Sequence, residues 1–166
     1  MSIFILFGPP GAGKTFVGKI FQESFGFHFY DGDEDLTPRM KWAIDHRVPI
    51  TDSQRDEFFS GLIESIKRLN QTQPHLVIAQ TFIKEKYRKW VRREFLSICF
   101  IFVHADSAIR EKRLLLRKET PLDLEYARKM CLNFDPPAIH HQVLKNCTSG
   151  KIEIKRQIRL FLYPHS

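Results

Sequence analysis

Short, nearly uninterrupted apolar runs at residues 3–7, 76–79 and 98–103, with weaker ones at 27–30 and 142–144, alternate with stretches in which apolar residues return every three or four positions. A brief apolar run reads as a strand covered on both faces, and the longer period as a helix lying against it. Helices are therefore predicted from near Lys14 through 16–25, and over 53–70, 105–117 and 122–132. In the second of these Phe58, Phe59, Leu62, Ile63, Ile66 and Leu69 gather on one side before residues 71–74 break the helix. Strand alternating with helix predicts an α/β fold built on a parallel sheet. No repeat, low-complexity tract or linker interrupts the pattern, so residues 1–166 read as one domain.

Composition supports that reading: 166 residues, 43% of them hydrophobic and 15 of them Phe, can build one substantial core. No run of 18 uncharged apolar residues suggests a membrane span, and no basic leader with a small-residue cleavage site opens the chain, which makes the cytoplasm the expected location. Cys99, Cys131 and Cys147 are odd in number and widely spaced, as expected of reduced thiols serving as packing residues. The net charge of +7 is uneven, since residues 1–80 carry eight Lys and Arg against ten Asp and Glu, and residues 81–166 carry eighteen against nine. The excess lies in 84–93, 110–118 and 151–159. Solvated helix faces, a polyphosphate or anionic substrate, and nucleic acid are the three readings open to it.

Between the first strand and the first helix stands Gly8-Pro9-Pro10-Gly11-Ala12-Gly13-Lys14-Thr15, a complete G-x-x-x-x-G-K-[ST] pattern. Its four fixed positions coincide by chance in a chain this long about once in a hundred. The pattern has a mechanical meaning, because glycines let successive N–H groups turn inward around phosphates while a lysine reaches the β- and γ-phosphates. A Thr hydroxyl then faces Mg²⁺. ATP binding by residues 8–15, with Thr15 as a metal ligand, is the expectation.

Asp31-Gly32-Asp33 follows the second strand at its carboxyl end, where open α/β sheets bind ligands. One acid can serve a metal while the other accepts the proton of a substrate hydroxyl; an Asp-Gly turn leading into a helix is the plain alternative. With these residues in view the chain resembles the gluconate kinase and shikimate kinase branch of P-loop small-molecule kinases, from Ile3 to about Asn133. Val48-Pro49-Ile50-Thr51-Asp52 with Arg55 is similar to the gluconate kinase stretch E-P-L-x-D-x-D-R, and Thr81-Phe82-Ile83-Lys84 with Tyr87-Arg88 to S-A-L-K-x-x-Y-R. The resemblance implies the P-loop NTPase fold, with a five-stranded parallel sheet, helices on both faces, a substrate-binding helical segment over about 34–58 and a lid over about 118–124. It further implies that Asp31 serves the metal and Asp33 the acceptor hydroxyl, and that Arg117 is a lid arginine reaching the ATP phosphates. Lys14, Asp33 and Arg117 are then the catalytic set, with Arg113 beside Arg117 on the nucleotide and Arg55, Lys84 and Arg88 beside Asp33 on the substrate.

The chain also departs from the pattern. Gluconate kinases carry H-P-x-x-N-x-x-K-M where this sequence has residues 36–44 as Leu-Thr-Pro-Arg-Met-Lys-Trp-Ala-Ile, and the G-G-G turn of shikimate kinases is replaced by Gln80-Thr81-Phe82. No Asp ends the third strand. His140-His141 lacks further ligands at zinc spacing, Trp42 and Trp90 are either base-stacking or core residues, and residues 134–137 read as a turn. The function expected is transfer of the γ-phosphoryl group of ATP, with Mg²⁺, to a hydroxyl of a small polar or acidic metabolite. A nucleoside or nucleotide kinase, a polynucleotide kinase and a regulatory nucleotide binder stay open as alternatives. Nucleic acid and membrane are not expected partners, and a monomer or homodimer is.

Overall fold

The computed structural model describes residues 2–116, 123–147 and 150–164. Its centre is β1 (Ser2–Phe7), flanked by β3 (His75–Ala79) and β4 (Ile98–His104), with β2 (His28–Asp31) and β5 (Gln142–Lys145) at the edges. All neighbours are parallel, in the order β2-β3-β1-β4-β5. Register sets Ile5 beside Ile78 and Phe100, so bulky side chains align across the sheet.

The near-continuous hydrophobicity of these strands follows from their covering. Ile3, Ile5 and Phe7 of β1 face a core shared with Leu76, Ile78 and Phe100, whereas Phe4 and Leu6 face a second core with Val77, Ala79, Ile101 and Val103. Side chains alternate faces along a strand, so only a sheet covered twice demands apolar residues at every position. The first face is covered by α3 (Asp52–Asn70), through Phe58, Phe59, Leu62, Ile63 and Ile66, and by Tyr87 and Val91 of α4 (Glu85–Glu94). The second is covered by α1 (Lys14–Phe25), through Val17, Ile20 and Phe21, and by Ile154 and Ile158 of α7 (Gly150–Leu162). Each fully buried Phe or Ile side chain contributes roughly 1.5–3 kcal/mol. Gly18 lets α1 approach closely, since a Cβ there would collide with the ring of Phe29.

Local sequence sets the helix boundaries. Thr51 and Gln54 form a reciprocal capping box at the start of α3, and Thr37 caps α2 (Pro38–Asp45) by accepting from the Met40 amide at 3.2 Å. Two predicted helices are shorter than expected at their starts. The 105–117 helix is α5 (Ser107–Leu115), preceded by Asp106 at the cap position, and the 122–132 helix is α6 (Leu124–Leu132), where Asp123 accepts from the Glu125 amide. At α6 the Asp123 cap sets the boundary inside the apolar pattern, whereas Asp106 stands at the start of α5 without a side-chain capping bond. Arg117 and residues 118–122 of the expected lid lie outside the described residues.

One expectation about composition changes. Cys99 is exposed rather than packed, and Cys131 accepts a hydrogen bond from Arg110 at 2.9 Å; all three thiols are free. Much of the positive excess is paired: Lys151 meets Glu23, Arg156 meets Glu153, and Arg128 meets Glu111. No described helix is long and apolar enough to cross a membrane.

Candidate active site

The carboxyl ends of β1, β2 and β3 open on a cleft of about 1020 Å³, floored by the loop between β1 and α1. That loop turns sharply enough to need a left-handed residue at its exit. Gly13 supplies it at φ 91°, and a side chain there would run into the amide of Asn146. The ammonium of Lys14 folds over the loop, donating to the carbonyls of Gly8 at 2.9 Å and Pro9 at 3.2 Å. Pro10, Gly11, Gly13, Lys14 and Thr15 all line the cleft.

The loop is braced from beneath by groups 90 or more residues away. Arg113, on α5, donates to the carbonyls of Gly11 and Ala12 at 3.4 and 3.3 Å and to that of Asn146 at 2.8 Å. Asn146, just past β5, donates to the Ala12 carbonyl at 2.8 Å. With these carbonyls held from below and the Ala12 amide turned back onto the Pro9 carbonyl, the amides left to face the cleft are those toward the start of α1. Arg113, expected on the nucleotide, lies against the underside of the phosphate loop.

Asp31 and Asp33 lie together, as the shared strand end requires. Asp31 accepts from the Thr15 hydroxyl at 3.4 Å through Oδ2 and from the Asp33 amide at 3.1 Å through Oδ1. Burial pushes its carboxyl above the usual range, and the charge of Asp33 adds to this against the opposing Asp33 N–H and Lys14. Asp33 is exposed to the cleft and is steadied by Gln80, whose amide donates to its Oδ1 at 3.0 Å. The Gln80 carbonyl oxygen in turn accepts from the Thr81 amide at 2.6 Å, so the side chain is locked at both ends. The role of Gln80 was not anticipated, although a polar residue directly after an apolar strand is the available signal. The same signal marks Asn146 after β5.

The opposite wall comes from α2, α3 and α6. Lys41, Arg47 and Arg55 reach it, among apolar side chains that include Leu36, Met40, Ile44 and Ile50. Among the described residues Arg55 makes one ion pair, at 3.3 Å with the exposed Asp52, which leaves most of its guanidinium available. Lys84 also lines the cleft but is tied to Asp135 at 3.1 Å. Asp135 accepts from the Glu85 amide as well, supplying the amino end of α4 with a cap from another part of the chain.

Arg88 is not brought to the cleft. Its side chain is fully buried, donating to the carbonyls of Phe82 and Asp135 and pairing with Glu85, with the guanidinium between the rings of Phe7 and Phe134. Its Nε, Nη1 and Nη2 all donate within the protein, because α4 packs this face of the helix inward beside Tyr87 and Val91. Trp42 is exposed and stacks on His46, and His141 sits edge-on to Phe7 and Phe102.

A phosphate loop, a strand-end carboxylate pair and this sheet order together define the P-loop fold, and the gluconokinase relatives identify a phosphotransferase acting on a hydroxyl group. The chain belongs to the AAA-domain family, whose model matches residues 4–138. It is 28% identical over 131 residues to the "Probable gluconokinase" of Xenopus tropicalis, covering 70% of this chain and 69% of that one. In three dimensions it is similar to a sugar kinase from Janibacter sp. HTCC2649, at a TM-score of 0.84, 16% identity and coverage of 98% and 94% of the two chains. A gluconokinase from Sinorhizobium meliloti 1021 gives 0.77 at 18% identity, with 99% and 98% covered. Within its family it is therefore a small-molecule kinase of the gluconate and shikimate kinase-like kind.

Proposed function

We propose that the chain transfers the γ-phosphoryl group of ATP to a hydroxyl of a small polyhydroxy acid of the gluconate class. The observation that carries the reading is the position of Asp33, fixed by Gln80 between the phosphate loop and a cleft wall bearing Arg55, Lys41 and Arg47. An acceptor whose carboxylate meets that wall presents a hydroxyl toward Asp33, which accepts its proton as the new P–O bond forms. Lys14, drawn from the Gly8 and Pro9 carbonyls onto the phosphates, neutralises charge on the transferring group. The curated relative named as a gluconokinase supports the acceptor class.

Thr15 and Asp31 present hard oxygen donors side by side, which suits Mg²⁺, and these two residues would hold it. Bound there, the ion supplies neutralisation of phosphate charge. Arg117, assigned by sequence position, joins Lys14 in this proposal as the cation brought by the lid. Trp42, stacked on His46, does not line the cleft, whose aromatic side chains are Phe58, Phe59, Phe82, Tyr87 and Tyr126.

The test is a thermal-shift screen of sugar acids, neutral sugars and nucleosides in the presence of Mg²⁺ and a non-hydrolysable ATP analogue. A ligand at about 100 times its Kd stabilises by roughly 2.7 kcal/mol, or about 5–10 °C for a chain of this size. A shift confined to sugar acids is expected. A shift produced by nucleosides alone moves the protein to the other branch of the fold.

A further inference from the structure

His104, Asp106 and Cys147 form a cluster outside the phosphate cleft that the transfer reaction does not use. An imidazole nitrogen, a carboxylate oxygen and a thiol sulfur lie within 4.8 Å of one another there. The backbone beneath them is held by the sheet: β4 and β5 pair through His104 and Lys145, and the Asn146 amide donates to the His104 carbonyl at 2.8 Å. The cluster is thus assembled from two segments of fixed register, and none of its members lines the cleft.

A second observation concerns Asp106. It occupies the cap position of α5 but accepts no capping hydrogen bond from that helix, the ordinary use of an Asp at such a site. Its Oδ1 stands 3.5 Å from His104 Nε2 instead. The carboxylate is directed at the cluster, where only a partially exposed imidazole and thiol await it.

We propose that these three side chains bind one borderline transition-metal dication, with Zn²⁺ as the reference occupant and water completing a tetrahedron. Bonds of about 2.0–2.3 Å place tetrahedral ligand atoms about 3.3–3.8 Å apart. The His104 and Asp106 atoms already meet that spacing, and a rotation of the Cys147 side chain closes the rest. A sulfur and a nitrogen donor select against Mg²⁺ and Ca²⁺, which take oxygen, so the site is chemically separate from Thr15 and Asp31. Binding replaces the thiol proton, which is released to solvent, and no electron is transferred.

The location gives the ion a consequence. Cys147 directly follows Asn146, which holds the Ala12 carbonyl and is held by Arg113. An ion tying Cys147 to the β4–α5 turn therefore stiffens the brace under the phosphate loop. Nucleotide affinity rises with the site filled.

The experiment uses the full chain, freed of metal by chelation and titrated with Zn²⁺ and, separately, Co²⁺. One ion per chain is expected, with a thiolate-to-Co²⁺ charge-transfer band that disappears in Cys147→Ser and survives in Cys99→Ser and Cys131→Ser. His104→Gln should weaken Zn²⁺ binding at least tenfold, and ATP-analogue affinity in the wild-type chain should rise severalfold on adding Zn²⁺. Alkylation of the folded wild-type protein provides a readout independent of any variant's folding: Zn²⁺ should protect Cys147 and leave Cys99 reactive. Undiminished Zn²⁺ binding by Cys147→Ser, absence of stoichiometric binding by the wild-type chain, or alkylation of Cys147 unaffected by Zn²⁺ would each overturn the site.

Discussion

The two walls of the cleft are built on different principles. On the phosphate side the cleft is lined by the glycine-rich loop itself, Gly11, Gly13, Lys14 and Thr15, whose carbonyls are held by contacts from Arg113 and Asn146. On the acceptor side it is lined by long side chains of α2 and α3 standing among apolar neighbours. A backbone cradle needs particular residues at particular spacings, because any side chain at Gly13 would strike Asn146. A side-chain wall needs only the right chemistry at the right distance. The phosphate side is thus common to many kinases, while the acceptor side can be rewritten one residue at a time, as residues 36–44 have been relative to the gluconate kinase pattern.

Breaking the phosphate side should have the largest effect. Lys14→Ala is expected to lower kcat roughly 10³-fold, the cost of losing a positioned charge in the transition state. Normal turnover in that variant, measured as ADP release, would remove this loop from the chemistry. Asp33→Asn keeps the hydrogen bond from Gln80 possible but removes the proton acceptor, so kcat should fall about 10²-fold with ATP affinity nearly unchanged. If its KM for ATP rose instead with kcat intact, Asp33 would belong with the nucleotide.

Arg88 sharpens the comparison, because it carries the charge expected of the acceptor wall without standing there. Arg88→Met leaves Glu85 and the Phe82 and Asp135 carbonyls without their partner, a loss of about 3–5 kcal/mol, or roughly 6–20 °C in Tm. The folded fraction should retain its acceptor KM. A raised acceptor KM at unchanged Tm would return Arg88 to the substrate. Arg55→Ala is predicted to do the reverse, raising the acceptor KM about tenfold without moving Tm, since its pair with Asp52 is exposed.

A smaller effect concerns the pH dependence of stability. Burial pushes Tyr87 up to about 12, helped by its hydrogen bond to Asp56, and burial raises Tyr30 similarly to about 12. The folded state favours the neutral phenols, so their contribution is whole below pH 10 and is lost as pH rises toward 12. Urea midpoints should decline over that interval, less steeply in Tyr87→Phe. Equal slopes for the two proteins would show that Tyr87 ionises as freely folded as unfolded.

What the sequence made legible was short in range. The strands, the helices between them and the phosphate loop are each set by residues within about a dozen positions of one another. Arg88 shows the opposite case: within the basic stretch 84–93 it reads as a substrate-side cation, and its burial becomes visible only when Asp135 and Phe134 arrive from 46 or more positions away. Gln80 reaches Asp33 across 47 positions and Asn146 reaches Ala12 across 134. No local pattern encodes such meetings. A partial clue was available, because a polar residue after an apolar strand in a parallel sheet stands at the edge where ligands bind.

The most direct test of the account follows the phosphorus atoms. Phosphorus NMR of the protein with ATP, Mg²⁺ and a sugar acid should show the γ-phosphate signal replaced by a phosphomonoester in step with ADP, and no such product from Asp33→Asn on the same timescale. Release of inorganic phosphate alone, at a rate indifferent to every acceptor offered, would contradict phosphoryl transfer to a small-molecule hydroxyl.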